Sequence, residues 1–143
     1  MDLDLRYPAV SDLRAKARRR IPHFAFEYLD SGTGAELQVR RNREALDAVW
    51  FLPTALPGRV EPVFTTHFLG QDWGRPFGIA PLGMSGLMWP GAEAMLARHA
   101  AAHRIPFGLS TVATRLPEEI GPLAEGTGWF QLYAPADRDI LKD

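Results

Sequence analysis

The chain has no cysteine, which removes disulfide frameworks and thiolate metal sites and leaves any redox chemistry to a bound cofactor. It also lacks an excess of charge of either sign. Sixteen Lys and Arg stand against 17 Asp and Glu, for a formal charge of -1, so the overall field gives nucleic acid no reason to bind. No stretch approaches the ~20 consecutive apolar residues of a membrane span, and Met1-Asp2-Leu3-Asp4 is acidic where a secretory signal would be basic. A cytoplasmic protein is expected, with peripheral membrane association left open. What is present, 46% hydrophobic and 23% charged residues in a chain of 143, is the composition of a globular protein.

Residues 1–48 read as a helical segment. Ser11 is the expected N-cap of a helix over LRAKARRR, Pro22 suits the first turn of a second, Ser31-Gly32 ends it, and a third is predicted over 35–48. Residues 49–76 read as a connector, because Pro53, Pro57 and Pro62 forbid long helix. Thr65 to Leu69 followed by Gly70-Gln71-Asp72 predicts a β-hairpin.

From residue 77 the pattern alternates. Strands are expected at 77–80, 106–109 and 129–133, with helices over 91–103 and 117–125 between them. The strands are short and continuously apolar, as in a parallel sheet covered on both faces. Each ends in residues unlike its body: Pro81-Leu82-Gly83-Met84-Ser85-Gly86, Ser110-Thr111, and Gln131 with Tyr133. Ligands bind at that carboxyl edge in both open α/β sheets and β/α barrels. Residues 136–143 read as the opening of a further helix. Three parallel strands would leave bare edges and faces, so a truncated product is expected.

The Gly83/Gly86 loop has neither GxGxxG nor GxxxxGK[ST] spacing, which disfavours nicotinamide dinucleotides and nucleoside triphosphates. What remains is a backbone-rich loop beside the Ser110 hydroxyl and the Gln131 amide. An amide supplies donors and an acceptor together, suiting the mixed edge of a pyrimidine-like ring. Inside an apolar strand an unpaired amide costs roughly 1–3 kcal/mol, which makes Gln131 the strongest site candidate from residue chemistry alone. His99 and His103 have a spacing that can bind zinc, but no glutamate directly follows His99 and no third ligand is evident, so solvent-facing helix histidines are the preferred reading. The basic run from Arg14 to Arg20 is read as a solvated helix face rather than an anion-binding patch.

The ordered segments FEYLDSG (26–32), FGIAPLGMSGL (77–87), IPFGLSTVAT (105–114) and WFQLY (129–133) resemble the N-terminal third of the FMN-dependent α-hydroxy-acid dehydrogenases and oxidases, from about Ser11 onward. That family includes glycolate oxidase and the lactate and mandelate dehydrogenases. The resemblance implies an N-terminal helical segment plus the first three strands of a (β/α)8 TIM barrel, with FMN over the carboxyl ends of the strands. It implies that Pro81, Leu82 and Gly83 pass beside the flavin, that Ser110 and Gln131 hydrogen-bond its pyrimidine portion, and that Tyr28 and Tyr133 contact the substrate. The implied reaction oxidises an (S)-2-hydroxy acid to a 2-oxo acid.

By the same resemblance the proton-accepting histidine, the carboxylate-binding arginines and a lysine lie beyond Asp143. None of His23, His67, His99 and His103 matches the catalytic-histidine motif, so no catalytic residue is assigned and the chain alone is expected to be inactive. The full-length form is expected to be a homo-oligomer, a tetramer by family resemblance. Gly83 stands where glycolate oxidase has alanine and Val112 where it has tryptophan, while Leu87-Met88-Trp89-Pro90 looks like the mandelate dehydrogenase loop. These features favour a mandelate- or lactate-like substrate. Alternatives are a non-redox β/α-barrel phosphate binder and a truncated, non-catalytic interaction module.

Overall fold

Asp12, not Ser11, supplies the side chain that caps the first long helix of the computed structural model, which describes residues 3–53, 58–136 and 139–140. After a single turn, α1 (Leu3–Arg6), helix α2 runs over Val10–Arg20. The Asp12 carboxylate accepts the Ala9 N–H at 3.1 Å, while its own N–H donates to the Ala9 carbonyl at 3.0 Å. An acid reaching back from the third helical position satisfies an orphan N–H and complements the helix dipole, so the Ser11 hydroxyl is not needed as a cap and Ser11 lies within the first turn.

Helix α3 (His23–Asp30) begins directly after Pro22 and closes at Ser31, whose N–H and hydroxyl both donate to the Glu27 carbonyl, at 3.0 and 2.6 Å. Helix α4 (Leu37–Asp47) starts two residues later than expected, because Glu36 takes a left-handed conformation at φ 56°. The Arg14 guanidinium forks onto the Asp30 carboxylate, Nε at 2.5 Å and Nη2 at 2.7 Å, pinning α2 to α3. This hydrogen-bonded pairing holds the Asp30 carboxyl below the usual carboxylate range. Ala25 and Phe26 are the buried apolar residues of these helices. They belong to the first of two compact units, Met1–Glu61; the second is Pro62–Asp143.

The second unit opens with the expected hairpin. Strand β1 (Thr66–Phe68) pairs antiparallel with β2 (Gln71–Trp73), and the turn residues Leu69 and Gly70 both have positive φ, 49° and 75°, as a tight two-residue turn demands. Trp73 is buried; its indole N–H donates to the Phe68 carbonyl at 3.1 Å, and its ring meets Trp129 edge-on at 6.1 Å. The Gly74 N–H donates to the Arg104 carbonyl at 2.8 Å and the Gln71 amide to the Gly126 carbonyl at 3.4 Å. Arg104 and Gly126 precede the next two strands, so the hairpin covers the amino-terminal edge of the sheet.

Strands β3 (Phe107–Ser110) and β4 (Gly128–Gln131) are parallel, with Phe107 opposite Gly128 and Ser110 opposite Gln131. The strand expected at 77–80 shrinks to a single parallel bridge from Ile79 to Phe107. Its two hydrogen bonds are Ile79 N–H to Pro106 C=O at 2.8 Å and Gly108 N–H to Ile79 C=O at 2.9 Å. Pro81 and, on the facing chain, Pro106 have no N–H to donate at the next ladder positions, which halts the ladder on both sides.

Helices α6 (Ala92–His103) and α7 (Pro117–Ala124) cover one face of this sheet, and a short helix α5 (Ser85–Met88) lies in the first crossover. The core is Ala97, Ala100, Ile105, Phe107, Leu109, Ile120 and Ala124. Fully buried Ala97 and Ala100, three apart on α6, let the helix approach β3 closely. All four residues of β4 are exposed, and an open apolar groove of about 490 Å³ runs past Phe68, Phe77, Ile79, Pro81 and Trp129, in line with the bare edges and faces expected of so few strands. Of the helix expected over 136–143, residues 137–138 and 141–143 lie outside the described residues.

Candidate functional site

At the carboxyl edge three chain segments converge. The parallel register carries Pro81, Ser110 and Gln131 past the ends of their neighbouring strands toward one rim. A Cβ placed on Gly108 would lie 2.8 Å from Pro81 Cδ, which shows how closely the first segment crosses β3.

The loop after β3 is bonded to both neighbours. On one side, the Met84 N–H donates to the Val112 carbonyl at 2.8 Å. Beside it, Glu93, 2% exposed in the first turn of α6, accepts the Gly86 N–H at 3.0 Å, the Thr114 N–H at 3.0 Å and the Thr114 hydroxyl at 2.8 Å. Burial opposes charge on this carboxyl. The hydrogen bonds from Thr114, from its own main chain and from Gly86 outweigh burial and hold its pKa at about 2. All three contacts fall on Oε1; Oε2 is buried without a hydrogen-bond partner among the described residues. On the other side, the Thr111 hydroxyl donates to the Gln131 carbonyl and accepts the Tyr133 N–H at 2.9 Å.

Six of the seven expected site residues therefore stand in one unit at one edge. Ser110 is buried and its hydroxyl accepts the Val112 N–H at 3.2 Å, which leaves its own hydrogen to donate. Leu82 and Tyr133 are exposed, and Pro81 and Gly83 are partly covered. The Gln131 side chain is exposed and makes no hydrogen bond among the described residues, since only its main-chain carbonyl is engaged. The sequence led to the expectation of an amide enclosed in an apolar strand; here β4 is the last strand of the described residues and the Gln131 side chain is exposed. Tyr28 lies half-exposed on α3 in the first unit.

Sequence reasoning passed over Glu93 and Thr114, and noted Thr111 only as a polar residue at a strand end. An acidic residue in the first turn of a helix, after a glycine-rich crossover, was the available signal for Glu93. His99 and His103 are exposed on α6 with ring centroids 4.5 Å apart, and among the described residues no group of three His, Cys, Asp or Glu side chains could hold a metal ion.

Residues 17–143 match the family described as FMN-dependent dehydrogenase. The L-lactate dehydrogenase of Pseudomonas aeruginosa is 37% identical over 135 residues, covering 94% of this chain and 35% of that protein. That of Xanthomonas euvesicatoria is 38% identical over the same length. Among solved structures, a mandelate oxidase bound to 3,3-difluoro-2-hydroxy-3-phenylpropionic acid superposes with a TM-score of 0.84 at 30% identity, over 94% of this chain and 40% of that one. A soluble mutant of the membrane-associated (S)-mandelate dehydrogenase from Pseudomonas putida gives 0.83 at 33% identity, over 93% and 38%. The chain belongs to the FMN-dependent dehydrogenase family. It spans about a third of the length of the curated relatives it matches.

The rim suits the family's cofactor on chemical grounds. A flavin's pyrimidine edge alternates acceptors and a donor, and the rim offers one amide with both functions, without a partner among the described residues, next to a hydroxyl with a hydrogen to give. Among the described residues no helix is long and apolar enough to cross a membrane.

Proposed function

We propose that this chain is the N-terminal part of an FMN-dependent enzyme that oxidises (S)-2-hydroxy acids to 2-oxo acids. The observation that carries the reading is the convergence of Pro81–Gly83, the Ser110 hydroxyl and the unpartnered Gln131 amide on one rim of a parallel sheet. In this reading residues 77–143 are the first β/α units of a (β/α)8 barrel, residues 49–76 the connector with its hairpin, and residues 1–48 the helical segment that brings Tyr28. Pro81, Leu82 and Gly83 lie along the flavin, Ser110 and Gln131 hydrogen-bond its pyrimidine edge, and Tyr28 and Tyr133 bind the substrate.

When bound, FMN supplies the acceptor for the two electrons released as the alcohol becomes a ketone. The residues here bind and orient; they do not remove the substrate's proton. In the second unit His67 pairs with Asp72 in the hairpin, at the opposite edge, and His99 and His103 lie side by side, rings tilted, on the exposed side of α6. A chain with this content alone does not turn over substrate. The functional protein is a homo-oligomer, cytoplasmic or peripheral at the membrane.

Gly83 and the half-exposed Val112 leave room above the rim, which favours a lactate- or mandelate-like hydroxy acid over glycolate. The test is a graft in which residues 17–143 replace the matching segment of the Pseudomonas aeruginosa L-lactate dehydrogenase. The graft is expected to purify yellow and to oxidise L-lactate or (S)-mandelate faster than glycolate. A folded but colourless graft overturns the cofactor assignment, and a clear preference for glycolate overturns the substrate assignment.

A further inference from the structure

We infer that Thr111 is a positioning residue for the 2-hydroxy-acid site: its hydroxyl fixes the end of β4, and thereby the places of Gln131 and Tyr133, relative to Ser110. The inference rests on the functional reading above and deepens it, since nothing in that reading gives Thr111 a task.

β3 and β4 are in register up to Ser110 and Gln131, and there the ladder stops. Beyond it, among the described residues, no strand pairing holds the chain leaving β4, and Leu132 and Tyr133 are exposed. The link that continues past the last paired residues is the Thr111 side chain. It donates to the Gln131 carbonyl and accepts the Tyr133 N–H at 2.9 Å, so a single hydroxyl uses its hydrogen and a lone pair on two main-chain groups two residues apart. It thus extends the tie between the β3 loop and β4 past the end of their ladder.

That placement has a geometric consequence. The Gln131 amide and the Tyr133 ring point from alternate positions of one extended segment, and neither side chain has a hydrogen-bond partner among the described residues that would orient it. Their positions are inherited from the main chain. Thr111 belongs to the same loop as Val112 and Thr114, which are bonded to Met84 and Glu93 on the other side. The hydroxyl therefore refers the Gln131–Tyr133 segment to the loop that carries Pro81–Gly83. Thr111 itself is exposed, so its removal disturbs no core.

The experiment compares Thr111→Val and Thr111→Ser in the flavin-loaded protein, either the native polypeptide that carries this chain or the graft. Valine keeps the shape and removes the hydroxyl; serine restores it. Displacement of a positioning segment by an ångström is worth up to about a hundredfold in rate, so Thr111→Val is expected to lower kcat/KM at least about tenfold, with Thr111→Ser within about twofold of the parent. Melting temperatures are expected to stay together. Hydrogen exchange of the Tyr133 amide is expected to accelerate in the valine variant and stay slow in the serine variant, a readout independent of turnover.

Parental kcat/KM in Thr111→Val overturns the inference, as does a loss that serine fails to rescue or that follows a fall in melting temperature. If the parent itself binds no flavin, the functional reading is what fails, and the Tyr133 exchange still reports whether Thr111 holds the segment.

Discussion

Glu93 and Thr114 are joined twice, main-chain N–H to carboxylate at 3.0 Å and hydroxyl to the same oxygen at 2.8 Å, across 21 residues of sequence. The same oxygen takes the Gly86 N–H, so one buried carboxylate ties the crossover after residue 80 to the loop after β3. The carboxyl's pKa near 2, against a usual 4.5, means that the folded state holds it ionised more strongly than the unfolded chain does. A depressed folded value contributes stability that is complete above the unfolded pKa and is lost as pH falls toward the folded one. Stability is therefore expected to drop by roughly 3 kcal/mol between pH 4.5 and 2 from this group. Denaturant titrations at a series of pH values should show this acid limb in the parent, and Glu93→Gln should flatten it. An unchanged limb in the variant would assign the acid sensitivity elsewhere.

Removing the acceptor altogether leaves its donors unpaired, whereas removing only its charge leaves them an oxygen. Glu93→Ala leaves the Gly86 and Thr114 N–H groups facing each other without a partner, a loss of about 2–4 kcal/mol for two or three partly buried donors. Glu93→Gln retains an oxygen for them but gives up the charge, so at neutral pH it is expected to lose about what the parent loses on acidification, roughly 3 kcal/mol, read as the shift in denaturation midpoint, and little more at pH 2.

Gly86 is required by space and not by its backbone angle. A Cβ there would stand 1.9 Å from the Thr114 Oγ1 and 3.0 Å from Glu93 Oε2. Gly86→Ala is expected to cost about 1–3 kcal/mol by overpacking. Thr114→Ala alone loses a hydrogen bond, yet combined with Gly86→Ala it vacates the clashing position. The double variant is expected to be more stable than the sum of the two losses, and strict additivity would contradict the contact.

At the opposite edge Trp73 serves the same end by burial. Its indole is 2% exposed, bonded to Phe68 and edge-on to Trp129, so Trp73→Ala is expected to cost about 3–5 kcal/mol and to free the hairpin from the base of the sheet. Trp73→Phe keeps most of the apolar area and should lose about half of that. A hairpin equally protected from proteolysis in Trp73→Ala would refute the anchoring role.

The alternation of helix and strand after residue 77 was legible because it depends on local signals: the apolar stretch 107–109, Pro117 at a helix start, Gly91 before another. The hairpin was legible for the same reason, since Leu69-Gly70 needs only a turn that tolerates positive φ. What escaped depended on partners distant in sequence. Ile79 keeps one bridge in place of a strand because prolines flank it and Pro106 faces it. Ser11 yielded its capping role to Asp12, one residue along, a competition that propensity does not resolve. Gln131 was read as enclosed because its neighbours are apolar, although those neighbours line an uncovered face. Glu93 looked like any acid near a helix start, and its burial arises where two crossovers meet.

The exposure of Gln131 makes it the cleanest probe of the rim. A buried amide could not be altered without unfolding its surroundings, but this side chain bonds nothing among the described residues, so Gln131→Leu should leave the melting temperature of the flavin-free protein unchanged. If its amide hydrogen-bonds the flavin's pyrimidine edge, the variant loses that bond and strands a polar edge against leucine, weakening FMN binding by about 1–3 kcal/mol, or roughly fivefold to 150-fold in Kd. Gln131→Glu keeps an acceptor but no donor, and it should bind FMN no better than the leucine variant, because an anion then faces the ring's carbonyl oxygens. Fluorescence titration of the apoprotein with FMN measures all three. Parental affinity in both variants would remove Gln131 from the cofactor site and with it the chemical reason for placing the flavin's pyrimidine end at β4.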